Sequence, residues 1–203
     1  MSLSRYALLA AATTTIGEVN AYWGIGWCPI FAPDPVGNFE PERYAGSWYE
    51  IKRDKDLWYE NNQDCVTATY TYEPAWYKIY PINVDNKSTQ SDDPTNVSSS
   101  DGRSRARCDA EGNCHVKFWY YPEGNYQVLD TDYDTYALVY GCDTWFGLVW
   151  TNQAWILSRT QTLTDGQISS IKATLQSKVP DSRYPVDDQW IDCKQGGDCT
   201  YGI

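Results

Sequence analysis

Histidine is almost absent from this chain of 203 residues: His115 stands alone, and there is a single methionine. With one imidazole the chain has little from which to build a nucleophile–base pair or a histidine-based metal centre. Its seven cysteines contain no C-x-x-C pair, so the usual thiolate spacing for zinc is missing too. Basic residues are also scarce, 16 Lys and Arg against 27 Asp and Glu, and the formal charge of -11 offers no cationic surface to a phosphate backbone. That acidic excess reads as a solvated surface, and no nucleic acid partner is expected. Nor is there an apolar run long enough to cross a bilayer, so no transmembrane segment is expected.

What the chain does have is aromatic surface with a polar edge. Ten Trp and seventeen Tyr outnumber four Phe, a balance that suits half-wet walls better than a dry core. The length fits one domain with a processed end. A short basic start, Met1 to Arg5, precedes a run of mostly small and apolar residues, Tyr6 to Val19, and Val19-Asn20-Ala21 offers a small-x-small cleavage signal. Residues 1–21 are therefore expected to be a signal peptide, with a secreted, extracellular domain over 22–203. In an exported chain the cysteines imply disulfides, and the sequons at Asn86 and Asn96 imply glycans.

From Ser47 to Leu157 short β-rich runs alternate with turn residues, with no sustained helical period. The strands are expected at Ser47–Arg53, Cys65–Tyr72, Trp76–Val84, Ser99–Arg107, His115–Tyr120, Tyr126–Asp130, Thr135–Cys142 and Leu148–Ser158. The polar stretch Asp85 to Arg105 reads as a long loop running into a weak strand. Short links such as Glu73-Pro74 and Pro122-Glu123-Gly124-Asn125 join antiparallel neighbours in up-and-down order. One amphipathic helix follows: Thr164 caps it, Ile168, Ile171, Leu175 and Val179 recur at three- and four-residue steps, and Pro180 ends it. The fold class is thus all-β, an eight-stranded antiparallel up-and-down β-barrel over about 46–159. The C-terminal α-helix, about 164–179, packs outside it, and an irregular tail over 180–203 wraps the exterior.

Three ordered motifs carry a resemblance. They are Tyr44-Ala45-Gly46-Ser47-Trp48-Tyr49-Glu50-Ile51 after Asn38-Phe39, then Thr131-Asp132-Tyr133-Asp134-Thr135-Tyr136-Ala137-Leu138-Val139-Tyr140, then Ala154-Trp155-Ile156-Leu157-Ser158-Arg159. In these the chain resembles the lipocalins, within the branch of apolipoprotein D and the bacterial lipocalins, from about Cys28 to Cys193. The resemblance implies that Gly46, Trp48, Thr131, Asp132, Tyr133 and Arg159 maintain the fold. Physically, Gly46 permits a close turn, Trp48 is broad enough to plug one end of the barrel, and Arg159 laid over its ring adds about 0.5–2 kcal/mol. The family's two bridges fall on Cys28–Cys142 and Cys65–Cys193. Cys108 and Cys114 flank a turn and are able to bridge it, a departure from the family pattern. Cys199 is left free, paired between molecules, or in competition with Cys193, so a homo-oligomer stays open.

The resemblance also implies a cavity for one small hydrophobic ligand. Strand alternation puts Ala68, Tyr70 and Tyr72 on one inward face, Val116, Phe118 and Tyr120 on another, and Trp155 above Arg159 on the last strand. Tyr70 and Trp155 match cavity residues of the family. The expected function is binding and transport or sequestration of a fatty acid, sterol or isoprenoid, with a tetrapyrrole or carotenoid pigment protein as the alternative. A third reading gives the work to the loops and glycans at the open end. No cofactor, metal or catalytic residue is expected: Asp130, Asp132 and Asp134 step in twos, but Thr135 and Gly141 stand where a calcium loop needs Gly and Glu.

Overall fold

The computed structural model describes residues 23–28, 33–100, 102–118, 122–179, 184 and 189–201, apart from the side chains of Trp23 and Trp58. The expected leader over 1–21 and Tyr120 lie outside them. Eleven strands and two α-helices follow in order: β1 (Trp23–Ile25), α1 (Pro41–Tyr44), β2 (Gly46–Asp54), β3 (Gln63–Tyr72), β4 (Ile82–Gln90), β5 (Asp93–Ser99), β6 (Ser104–Cys108), β7 (Asn113–Lys117), β8 (Gly124–Thr131), β9 (Tyr136–Trp145), β10 (Val149–Ser158), α2 (Asp165–Lys178) and β11 (Trp190–Asp192). Eight of the strands, β2, β3, β4, β6, β7, β8, β9 and β10, form one antiparallel barrel, and the pairing of β10 back onto β2 closes it. Closure leaves the barrel wall with no free edge for another chain to extend.

Two apolar layers account for the sequence pattern. Trp48, Tyr70, Ile82, Val84, Ala106, Val116, Val128, Val139 and Leu157 point into the barrel and pack with Phe39, Tyr44 and Tyr133. Alternating residues of β8, β9 and β10, namely Leu129, Leu138, Tyr140, Ala154 and Ile156, point outward onto Ile171, Leu175 and Val179 of the α2 segment. Covered on both faces, β9 reads as an almost unbroken apolar run. Helix α2 starts with a capping box: Gln167 N–H donates to Thr164 Oγ1, and the Gln167 side chain accepts from the Thr164 amide.

At the closed end, the Arg159 guanidinium lies 3.6 Å from the centroid of the Trp48 ring. It donates to the carbonyls of Tyr133 (2.9 Å), Ser47 (3.0 Å), Arg43 (2.9 Å) and Ala45 (3.0 Å). The Trp48 indole donates to Tyr44 O at 2.9 Å. Gly46 adopts φ +98°, and a Cβ there would meet the guanidinium at 3.2 Å, so the position admits little but glycine. Between β8 and β9, Asp132 Oδ1 accepts from the amides of Asp134, Thr135 and Tyr136, while Thr131 Oγ1 accepts from Tyr133 N and donates to Tyr136 O. This turn holds Tyr133 at φ +68° and aims its carbonyl at Arg159.

The structure corrects several expectations. The third strand is Ile82–Gln90, not Trp76–Val84: Pro74 and Pro81 bracket the aromatic run, which loops out and leaves Trp76 97% exposed. The polar stretch after Val84 is no loop but most of a hairpin, β4 with β5, whose ladder satisfies the backbone while Ser, Thr and Asn face water. Asn86 pairs with Ala68 on the barrel-facing side, and its Oδ1 is buried, whereas Asn96 lies exposed on β5. Of the two sequon asparagines, Asn96 is exposed and Asn86 half-buried.

The tail also differs. Strand β2 pairs with β3 only from Gly46 to Tyr49; beyond that it pairs with β11, from Lys52 to Asp54. From Trp190 the tail thus fills a seam in the wall, while Tyr184 packs on the exterior against Tyr140 as expected. Cys193 N donates to Ile51 O, Cys65 N donates to Lys194 O, and Gln195 Nε2 bridges the carbonyls of Glu50 and Val66. Cys193 is buried and free, and the expected Cys65–Cys193 bridge is replaced by Cys65–Cys199. A turn through Gly196 and Gly197, both at positive φ, returns the chain to Cys65. Cys28–Cys142 and Cys108–Cys114 form as expected.

Two outcomes follow for the folded protein. Trp48→Ala is expected to lower stability by about 3–5 kcal/mol in denaturant unfolding, the cost of emptying a fully buried aromatic site. Burial and the nearby Glu50 charge push the Cys193 thiol up to about 12. Iodoacetamide should therefore label one cysteine only after unfolding, and non-reducing peptide mapping should link Cys65 to Cys199; native labelling of Cys193, or a Cys65–Cys193 peptide, contradicts the seam.

Candidate functional site

Cross-strand partners share a face, so the register shows which side chains enter the barrel. Gly46 pairs with Tyr70 and Trp48 with Ala68, while Cys114 of β7 pairs with Tyr126 of β8. On the last strand Leu157 pairs with Glu50 and Trp155 with Arg53; an irregularity between Ile156 and Leu157 keeps both charged residues inward although they are three apart. Such a bulge re-aims side chains that strict alternation would send to opposite faces.

A ladder of aromatic and polar groups climbs from the floor. Tyr44 packs on Trp48 with ring centroids 5.1 Å apart. Its hydroxyl shares a 2.8 Å hydrogen bond with that of Tyr126, which shares another of 2.9 Å with that of Tyr70. Burial pushes all three phenols up, Tyr70 to about 12, so they remain protonated. The Tyr126 ring stacks on Trp155 at 6.4 Å and 28°. Trp155 Nε1 donates to Glu60 Oε2 at 3.2 Å, at the 3-10 turn Trp58–Glu60 between β2 and β3. Arg53 locks that turn in place, donating to the carbonyls of Glu60 (2.9 Å) and Gln63 (2.7 Å) and pairing with Glu50 at 2.8 Å.

Ala68, Tyr72, Tyr126 and Trp155 pack against the inner cluster yet are only half-buried, whereas Tyr70 is buried. Inward-facing side chains that keep accessible surface border open space. Phe118, expected inside, lies beyond the end of β7 and is exposed, because the ladder stops at Lys117. His115 pairs with Arg107 on the outer face, 4.0 Å from Glu123. A polar notch of about 360 Å³, lined by Glu73, Lys78, Ile79, Tyr80, Asn83 and Arg105, also lies outside, since Asn83 and Arg105 alternate with the inward Ile82, Val84 and Ala106.

Sequence reasoning reached Tyr70 and Trp155 but not Tyr44, Tyr126, Glu50, Arg53 or Glu60. Tyr126 was accessible by the same alternation used for its neighbours. The bulge that turns Arg53 inward and the fold of the loop that brings Glu60 to Trp155 leave no local signal.

The family model for the lipocalin-like domain matches residues 39–184. The chain belongs to the lipocalin family. Apolipoprotein D of Macaca fascicularis is 31% identical over 185 residues, covering 90% of this lipocalin and 93% of that protein. The outer membrane lipoprotein Blc of Citrobacter freundii is 36% identical over 133 residues, 64% of this chain and 67% of that one. Among solved structures, insecticyanin from the tobacco hornworm Manduca sexta superposes with a TM-score of 0.64 at 23% identity, covering 90% of this lipocalin and 94% of that chain. At that identity the likeness shows the shared fold. Lipocalins are binders of small hydrophobic molecules, and among the described residues of this one no helix is long and apolar enough to cross a membrane.

Burial, and then the charge of Glu50, push the Glu60 carboxyl up to about 8. Burial likewise pushes Asp54 up to about 6. Both acids hold a proton in the folded state over a range where the unfolded chain has released it. Stability therefore falls as pH rises from about 4 to 8 and levels off above that. Glu60→Gln, which keeps an acceptor for the Trp155 indole, is expected to flatten this decline and to gain about 1–4 kcal/mol at pH 9 in denaturant unfolding. An unchanged pH profile rules out a buried, proton-holding Glu60.

Proposed function

We propose that this lipocalin is an extracellular carrier that binds and transports or sequesters one small hydrophobic molecule in its barrel, of the fatty acid, sterol or isoprenoid class, and that it is not an enzyme. The observation carrying this reading is the set of inward-facing, half-buried side chains, Ala68, Tyr72, Tyr126 and Trp155, above a sealed floor. Removing apolar ligand area from water there is favourable by about 25 cal/mol per Å². Tyr70 and Trp155 contact the ligand, as do Ala68 and Tyr72. Three disulfides and the similarity to apolipoprotein D support secretion. Against catalysis stands His115, the one imidazole, which is on the outer face away from the cup.

The Tyr126 and Trp155 rings, inclined by 28° to one another, also suit a flat conjugated ligand, which keeps a pigment-binding role as the second reading. Titration with retinol, followed by quenching of tryptophan fluorescence, tests the cavity. Trp155→Ala is expected to bind about tenfold more weakly while unfolding at nearly the same denaturant concentration. Equal affinity in the two proteins removes Trp155 from the site. Visible absorbance of protein purified from its source favours the pigment reading, and a colourless, fully loaded protein counts against it.

A further inference from the structure

The charged groups near the mouth of the barrel are unevenly balanced. Glu50 and Arg53 face inward through their pairing with Leu157 and Trp155. Glu60 meets the Trp155 indole, and Asp143 lies over Gly124, held by the Asn125 amide and the Gln153 side chain. Among the described residues, three carboxyl groups thus accompany one guanidinium. That guanidinium is itself committed: 3% exposed, it is paired with Glu50 and donates to two backbone carbonyls. The neighbouring cation Lys52 pairs with the outward Ile156 and bonds Asp192 on the tail. Arg159, a half-buried guanidinium, lies beneath Trp48 with its donors on carbonyls.

We propose that the cup selects hydrophobic ligands whose polar end is uncharged, an alcohol or ketone, and discriminates against carboxylates. The proposal rests on the carrier reading and narrows it. An anionic head brought beside Trp155 meets the Glu50 and Asp143 carboxyls in a site of low dielectric, where the inward cation among the described residues, Arg53, is already neutralised. Exchanging water for such surroundings costs a carboxylate far more than a hydroxyl, which needs only a hydrogen-bond partner. Partners for a neutral head are at hand in the linked hydroxyls of Tyr126, Tyr70 and Tyr44 and in the Glu60 carboxyl. Below about pH 8 that carboxyl carries a proton to donate.

Retinol and retinoate share one polyene and differ only at the head, so their dissociation constants at pH 7.4, read by tryptophan quenching, isolate the effect. Retinol is expected to bind about tenfold or more tightly than retinoate. Equal or tighter binding of retinoate overturns the selectivity while leaving the carrier reading intact. Failure of both to bind defeats the carrier reading itself. Glu50→Gln, which leaves the Arg53 charge uncompensated, is expected to shrink the retinol-to-retinoate affinity ratio by about tenfold. Asp143→Asn, which removes a carboxylate at the mouth without uncovering a cation, should shrink it less, and serves if the first variant does not fold. A ratio unchanged in every folded variant also overturns the proposal.

Discussion

The contact of the Arg159 guanidinium with the Trp48 ring organises the closed end of this lipocalin. A guanidinium partly withdrawn from water without a paired carboxylate is costly, and here the cost is offset by an aromatic face at 3.6 Å and by carbonyls drawn from three separate segments. Those segments are the residues just before β2, the start of β2 and the β8–β9 turn. The end of β10 is thereby fastened to the start of β2. Because the barrel is a closed ring, fixing that junction fixes the register of the strands around it. The left-handed turn at Tyr133 and the glycine at 46 are local strains accepted to bring these groups together.

Above this floor the wall has unequal sides. Strands β8 to β10 are covered inside by the barrel core and outside by α2, so both alternating sets of side chains are apolar. On the opposite side β4 and β5 run out as a polar hairpin with β5 exposed throughout. Between them, where β2 and β3 diverge, the tail completes the sheet and the Cys65–Cys199 bridge holds it there. Pinning residue 65 to residue 199 closes a loop spanning most of the domain, where cross-linking restricts the unfolded chain strongly. The seam also buries Glu50 and Cys193 at the height where Arg53 and Glu60 meet Trp155. The wall repair and the polar lining of the cup therefore share residues.

That shared construction gives the interior its chemical character. The lower part is aromatic and neutral, a chain of phenols hydrogen-bonded to one another above an indole. The upper part is acidic, with its one guanidinium consumed in holding the 3-10 turn between β2 and β3. An apolar ligand body and an uncharged head match these two levels in order, by burial of area below and hydrogen bonding above.

Much of the architecture was written locally. Alternation in β2, β3 and β10, the apolar run of β9, the capped helix and the three motifs specify an all-β barrel with one helix, and Tyr70 and Trp155 fall where alternation puts them. These features are set by neighbours within a few residues, so they survive reading one residue after another. What the tertiary structure alone decided are the long-range choices: which of two tail cysteines meets Cys65, that a polar stretch joins the sheet, and that Glu50, Arg53 and Glu60 gather around Trp155. Each depends on a bulge, a left-handed residue or a strand parting from its neighbour. Those irregularities cost little locally and are selected by packing and hydrogen bonding between segments up to 145 residues apart, as between Gln195 and Glu50.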